Sequence, residues 1–399
     1  MEQFDFDHFE SRRPWNQIKW APEVLEESFG DRDVTPAWIA DMDLKTAPAI
    51  TEAVIEAAKN GMYGYTRIDS EMIRAYLDWQ QRRNGWSAKE EWYRYTPGVV
   101  EAINMLVLSQ TEEGDELLIQ RPVYYPFTAV VQAQNRKVIN NPLLLKDGRY
   151  EIDFADFEEK VASPRCKVFI LCNPHNPVGR VYTEDELRRM GEICLKHGVF
   201  VIADEIHSDL IFPGHRHVVF ASLGEEFAQN CAVCHAPSKT FNLAGMSLSC
   251  IMIPNKERRE KFDAAYERYC RAKPTFFAPV AAKAAWTKGE AWLTACLEYI
   301  YANYQFVREF AEKTWEGRVQ VAPLEGTYLA WLDFRQLEAD PKKLEEKMQR
   351  RAKVALDEGY IFGPEGDGFE RLNLAAPRAL IEKIMVQIAN AFCENEEGD

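Results

Sequence analysis

The chain has 399 residues, 46% of them apolar, and 63 acidic against 48 basic residues give a formal charge of −15. That length exceeds one simple core and predicts two packed units. An acidic surface of this kind repels nucleic acid and anionic membranes, so neither is expected as a partner.

The first stretch, MEQFDFDHFE, is acidic and lacks an apolar centre, so it does not read as a signal peptide. No run approaches the roughly 18 apolar residues a membrane span needs. Nine cysteines, an odd number scattered along the chain, read as reduced thiols of a cytoplasmic protein rather than as a disulfide framework.

Residues 46–60, TAPAITEAVIEAAKN, predict a helix with Pro48 in its first turn and Gly61 just past its end. From there to about residue 285, short apolar runs alternate with helical stretches. The strand candidates are ELLIQ (116–120), KVFIL (167–171), VFVIA (199–203), CAVC (231–234) and SCIMI (249–253). Residues 183–198 predict a helix with Thr183 as N-cap, Glu186 completing a capping box, and Gly198 at its end. Continuous apolar strands separated by helices predict an α/β fold, a mostly parallel sheet covered on both faces. Residues 281–314 contain no proline and one interior glycine, which predicts one long helix. Within VQVAPLEGTYLAWLDF (319–334), alternation from Tyr328 to Phe334 predicts a strand, followed by a helix over 341–358 and a strand in FERLNLAA (369–376). The expected organisation is a large unit over 46–285 and a smaller α+β unit formed by 1–45 with 286–399.

The sequence has no GxxxxGK[ST], GxSxG or HExxH motif. The one CxxC, Cys231 to Cys234, lacks a second ligand pair. In a strand its two thiols also point to opposite faces, so no metal site is expected.

Ligands of open α/β sheets bind at the carboxyl ends of the strands. Asp204 directly follows VFVIA. Asn173 and Asn176, in CNPHNPVGR, follow KVFIL. Gly98, in TPGVVEAI, precedes a helical pattern, and Lys239, in PSKTFNLAG, follows CAVC by a few residues. Each alone has an ordinary reading: a cap, a turn, a helix start, a surface lysine. Together they meet the four demands of pyridoxal 5′-phosphate (PLP). These are an amine for its aldehyde, a carboxylate for its ring nitrogen, a donor for its phenolic oxygen, and a helix N-terminus for its phosphate. Lys239, Asp204, Asn176 and the Gly98–Val100 turn fill those roles in that order.

The succession PGVVEAI, NPHNPVGR, ADEIHSDL, PSKTFNLAG, EGTYLAWLDF and RLN resembles fold-type I PLP enzymes of the aminotransferase class I/II superfamily. More narrowly it is similar to the MalY/PatB group of cystathionine β-lyases, also called cysteine-S-conjugate β-lyases. The likeness runs from IKW (18–20) and WIADMD (38–43) to RLNLAAPR (371–378), nearly the whole chain. It implies a seven-stranded, mostly parallel sheet between helices, with a smaller α+β domain. It implies that Lys239 bonds the cofactor and acts as catalytic base, with Asp204 at the ring nitrogen. Asn176 and His207 serve the phenolic edge, and Tyr124 stacks on the ring. Val99 and Val100 backbone groups with Ser238 hold the phosphate. Tyr65 reaches the phosphate of a neighbouring subunit, which implies a homodimer with shared active sites. Arg371 takes the substrate α-carboxylate. In a strand it shares a face with Asn373, away from Leu372 and Leu374; Arg378 is the competing candidate.

The resemblance implies α,β-elimination of cystathionine or a related cysteine S-conjugate to a thiol, pyruvate and ammonia. Aminotransferases commonly carry an arginine eight residues after the lysine, where this chain has Ser247. That departure favours the lyase over an aminotransferase, the nearest alternative; a regulatory or partner-binding protein on the same fold is the second. Leu44, where the group often has phenylalanine, is expected near the substrate mouth.

Overall fold

The computed structural model describes residues 4–393. Seven strands form the large sheet: β1 (Tyr93–Thr96), β2 (Glu116–Ile119), β3 (Lys137–Asn140), β4 (Cys166–Cys172), β5 (Phe200–Asp204), β6 (Cys231–His235) and β7 (Ser249–Met252). Their order is β1-β7-β6-β5-β4-β2-β3. All run parallel except β7, which is antiparallel to both of its neighbours.

The central strands are apolar on both faces because both are covered. Phe169, Leu171, Val201, Ala203, Cys231 and Val233 enter one core, while Val168, Ile170, Phe200, Ile202, Ala232 and Cys234 enter the other. Alternate residues therefore serve opposite layers, as the pleat requires. Cys231 and Cys234 are thereby separated by the sheet, and no group of metal-ligating side chains exists among the described residues.

Helix α1 (Pro48–Ala58) begins at the expected proline. Helix α2 (Val99–Gln110) follows β1 and packs its apolar face on the second core. Helix α3 (Glu184–His197) carries the expected capping box and ends on Gly198 in the left-handed conformation.

The expected single helix over 281–314 is two helices, α4 (Phe277–Lys288) and α5 (Glu290–Trp315), divided at Gly289. There the Phe241 ring packs where a Cβ would stand. The expected helix over 341–358 is also shorter. Regular α-helix covers Pro341–Glu346, a wider turn continues to Ala352, and Lys353 reverses the chain at φ 54°. Val354–Ala355 then pairs with Thr35–Pro36, tying the N-terminal segment to the smaller unit.

The second sheet is antiparallel: β8 (Gln320–Val321), β9 (Leu329–Asp333), β10 (Asp357–Glu358) and β11 (Phe369–Asn373), in the order β8-β9-β11-β10. Helix α6 (Arg378–Cys393) closes the described chain. No helix among the described residues is long and apolar enough to cross a membrane.

Candidate active site

Parallel strands β4, β5 and β6 end on one rim, with Cys172 beside Asp204 and Asp204 beside Cys234 in register. The strand ends and the turns after them supply the site. Asn173 and Asn176 come after β4, Asp204 closes β5, and a four-residue helical turn after β6 carries Ser238 and Lys239. The N-terminus of α2 reaches the same rim behind Gly98, which has no side-chain cap. Its first N–H groups therefore point into the site without an intrahelical acceptor.

A cavity of ≈ 210 Å³ opens there, lined by Val99, Val100, Tyr124, Asn176, Asp204, His207, Ser238 and Lys239, and also by Ala40 and Glu101. Arg371 stands behind this wall and donates to Asn176 Oδ1 at 3.0 Å. That contact orients the amide so that its Nδ2 donor is turned away from Arg371. Tyr65 is fully exposed and lies outside this cavity. Arg378 is engaged elsewhere: its Nε donates to Asn303 at 2.7 Å and its guanidinium covers Phe306. Leu44, expected at the mouth, is instead buried in the core.

The electrostatics are those of a site short of partners. Lys239 Nζ donates to the Ala40 carbonyl at 2.5 Å, an acceptor that carries no charge. Burial, reinforced by Arg371 and Lys19 and opposed by Asp41 and Asp204, brings its pKa down to about 8. Among the described residues the Asp204 carboxylate accepts only the Ile206 N–H, at 3.1 Å. Burial pushes its pKa up to about 7 despite that bond and the field of Lys239. His207 is held well below the usual histidine range by burial, Lys239 and Arg371, so it is neutral. Its Nδ1 is buried without a hydrogen-bond partner among the described residues. Burial also raises the Tyr124 phenol.

These deficits fit PLP. A cationic ring nitrogen would complete Asp204, an aldehyde would consume the Lys239 amine, and a phosphate would satisfy the free N–H groups of α2. Asn176 Nδ2 would be a donor for its phenolic oxygen, and Arg371, behind the wall, would be the cation nearest to a substrate carboxylate.

Several participants carry no sequence signal of their own. The segment Trp38–Leu44, whose Ala40 lines the cavity, is held by side chains from distant elements. Arg371 and Asn373 donate to the carbonyls of Trp38, Ile39 and Asp41, Tyr328 to that of Ala40, and Asn242 to those of Met42 and Leu44. Buried Lys19 pairs with Asp43 at 2.6 Å, and Arg12 holds both Asp41 and Asp43. Asp357, on β10, is in direct contact with Arg371 on β11. The stretches WIADMD and TFNLAG were the available signals for Asp41, Asp43 and Asn242; Asp357 had none.

With this geometry in view, the chain is placed by likeness. It belongs to the aminotransferase class I and II family, whose profile matches residues 39–388. It is 42% identical to cystathionine beta-lyase PatB of Bacillus subtilis (strain 168), across 97% of this chain and 100% of that protein. It is 31% identical to protein MalY of Escherichia coli (strain K12), across 98% and 99%. The structure of cystalysin from Treponema denticola, which contains PLP, superposes with a TM-score of 0.94 at 37% identity, covering 98% of this chain and 99% of that one.

Proposed function

We propose that this protein is a PLP-dependent carbon–sulfur lyase that cleaves cystathionine or a related cysteine S-conjugate to a thiol, pyruvate and ammonia. The observation that carries this reading is the pairing of a low-pKa lysine and an under-partnered aspartate in one cavity at a helix N-terminus. The name of one full-length relative, cystathionine beta-lyase PatB, supports the same chemistry.

Lys239, Asp204, Asn176 and His207 would hold the cofactor ring, with Tyr124 on its face; Ser238 and the N–H groups of Val99 and Val100 would hold its phosphate. Bound there, PLP supplies an aldehyde for the substrate amine and a ring that withdraws electrons from Cα. Arg371 binds the α-carboxylate and so fixes which Cα bond is cleaved. Lys239 Nζ, neutral over an accessible pH range, removes the Cα proton. The C–S bond then breaks with its electron pair on sulfur, and the ammonium of Lys239 is placed to return a proton to the leaving thiolate. Asp204, buried and fixed at the end of β5, keeps its charge where the electron sink needs it.

The protein works as a cytoplasmic homodimer in this reading. Exposed Tyr63 and Tyr65, with Met62, form an apolar loop suited to a second copy, and the described cysteines are all free thiols. Tyr65 then completes the phosphate site of its neighbour. If so, mixing inactive Tyr65→Ala and Lys239→Ala proteins restores activity through hybrid dimers, whereas independent sites stay inactive. The two units meet at Gly289, with α4 kept on the large one because it packs against α1.

The reaction is tested by incubating the PLP-loaded protein with cystathionine and no keto acid. Pyruvate and thiol released in equal amounts establish the lyase. Turnover only when a keto acid is supplied would make it an aminotransferase. Ser247 favours the lyase: it takes a left-handed turn, its carbonyl accepts from Tyr95, and it leaves no cation there for the phosphate.

A further inference from the structure

Arg371 is nearly fully buried, and its donors are unevenly used. Nη1 donates to Asn176 Oδ1 at 3.0 Å. Nη2 donates to the Trp38 carbonyl at 2.8 Å and also to Asp357 Oδ2. Nε is buried with no partner among the described residues. A carboxylate gripped at two points uses either Nη1 with Nη2 or Nε with Nη2. Nη2 belongs to both pairs, and both of its protons are taken. No two-point grip is open until Trp38 or Asp357 yields.

The Trp38 carbonyl is the less able to move. Its neighbours are pinned: Ala37 N–H donates to Ala355, and Ile39 accepts from Asn373. Asp357 sits directly across from Arg371 in the β10–β11 pair and needs only a side-chain rotation. Burial also raises the pKa of Asp357, so losing the guanidinium can be met by gaining a proton.

We propose that Asp357 is an internal counterion that holds Arg371 in the unliganded enzyme and is displaced from Nη2 when a substrate α-carboxylate binds. Its charge then sets how tightly amino acids bind, because two anions compete for one buried guanidinium. The proposal rests on Arg371 as the carboxylate anchor.

The test uses the PLP-loaded enzyme and L-alanine, an amino acid with no leaving group on its β-carbon, with affinity read by calorimetry. Asp357→Asn keeps the shape and removes the charge. It is expected to lower the Kd for L-alanine by roughly tenfold, and the KM for cystathionine in parallel. An unchanged or higher Kd overturns the proposal and leaves Asp357 as a residue that merely positions Arg371. The wild-type enzyme crystallised with L-alanine gives a second reading that does not depend on the variant folding. The Asp357 carboxylate is expected beyond about 3.5 Å from Nη2, and a retained contact overturns displacement. Arg371→Lys separates the underlying assignment. It is expected to abolish measurable L-alanine binding, and wild-type affinity in that variant would remove Arg371 as the anchor, and the proposal with it.

Discussion

Two aspartates five residues apart show what distinguishes the site from its support. Asp204 and Asp209 are both buried. Among the described residues the Asp204 carboxylate has one hydrogen bond, from a backbone N–H. Asp209 is fully served: Trp79 Nε1 and Thr240 Oγ1 each donate at 2.9 Å, His235 Nε2 lies 3.2 Å away, and Arg83 stands nearby. Burial raises both carboxyls. At Asp209 His235, Arg83 and Thr240 outweigh it and hold the pKa low, whereas at Asp204 burial wins. His235 is itself clamped between the rings of Tyr76 and Trp286. One aspartate holds the turn that carries Lys239; the other waits for a partner the protein does not supply. Partner count, at equal burial, separates the two roles.

The comparison can be broken by substitution. Lys239→Ala has the largest expected effect: no visible absorption band from bound cofactor, and a fall in pyruvate formation of roughly 10⁴-fold or more. Asp204→Asn comes next, lowering kcat/KM by roughly 10²–10³-fold while the melting temperature of the apoprotein holds or rises, since an uncompensated buried acid has been removed. Asp209→Asn does the reverse. Chemical denaturation is expected to show a loss of about 3 kcal/mol, with kcat per folded molecule changing by less than about threefold.

Much of this was legible in the sequence and some was not, for physical reasons. Strands β4, β5 and β6 are buried on both faces and write continuous apolar runs, so Asp204, Asn176 and Lys239 could be placed at their ends. Edge strands β1 and β3, YRYT and KVIN, are only half covered and left no such run. The break at Gly289 depends on the Phe241 ring and the stop at Ala352 on pairing with Thr35–Pro36, both distant in sequence. Trp79 is 130 residues from Asp209, so the supporting network has no local pattern to read. Asp357 lay inside a run of helix formers and was hidden by it.

The effect with no bearing on turnover is a pH slope in the apoprotein. Asp204 has a folded pKa raised to about 7. A raised acid stabilises the fold fully below its unfolded pKa, near about 4, and that contribution is lost as pH rises through 7. Unfolding free energies measured from pH 4 to 8 are therefore expected to fall for wild type relative to Asp204→Asn by on the order of 4 kcal/mol. Asp209, whose pKa is lowered, gives no such fall with rising pH.

The claim that Asp204 is left short because PLP completes it has a direct measurement: the gain in melting temperature when PLP is added to apoprotein. Wild type and Asp209→Asn are predicted to gain strongly and alike, and Asp204→Asn to gain much less. Equal gains in all three proteins would contradict the account.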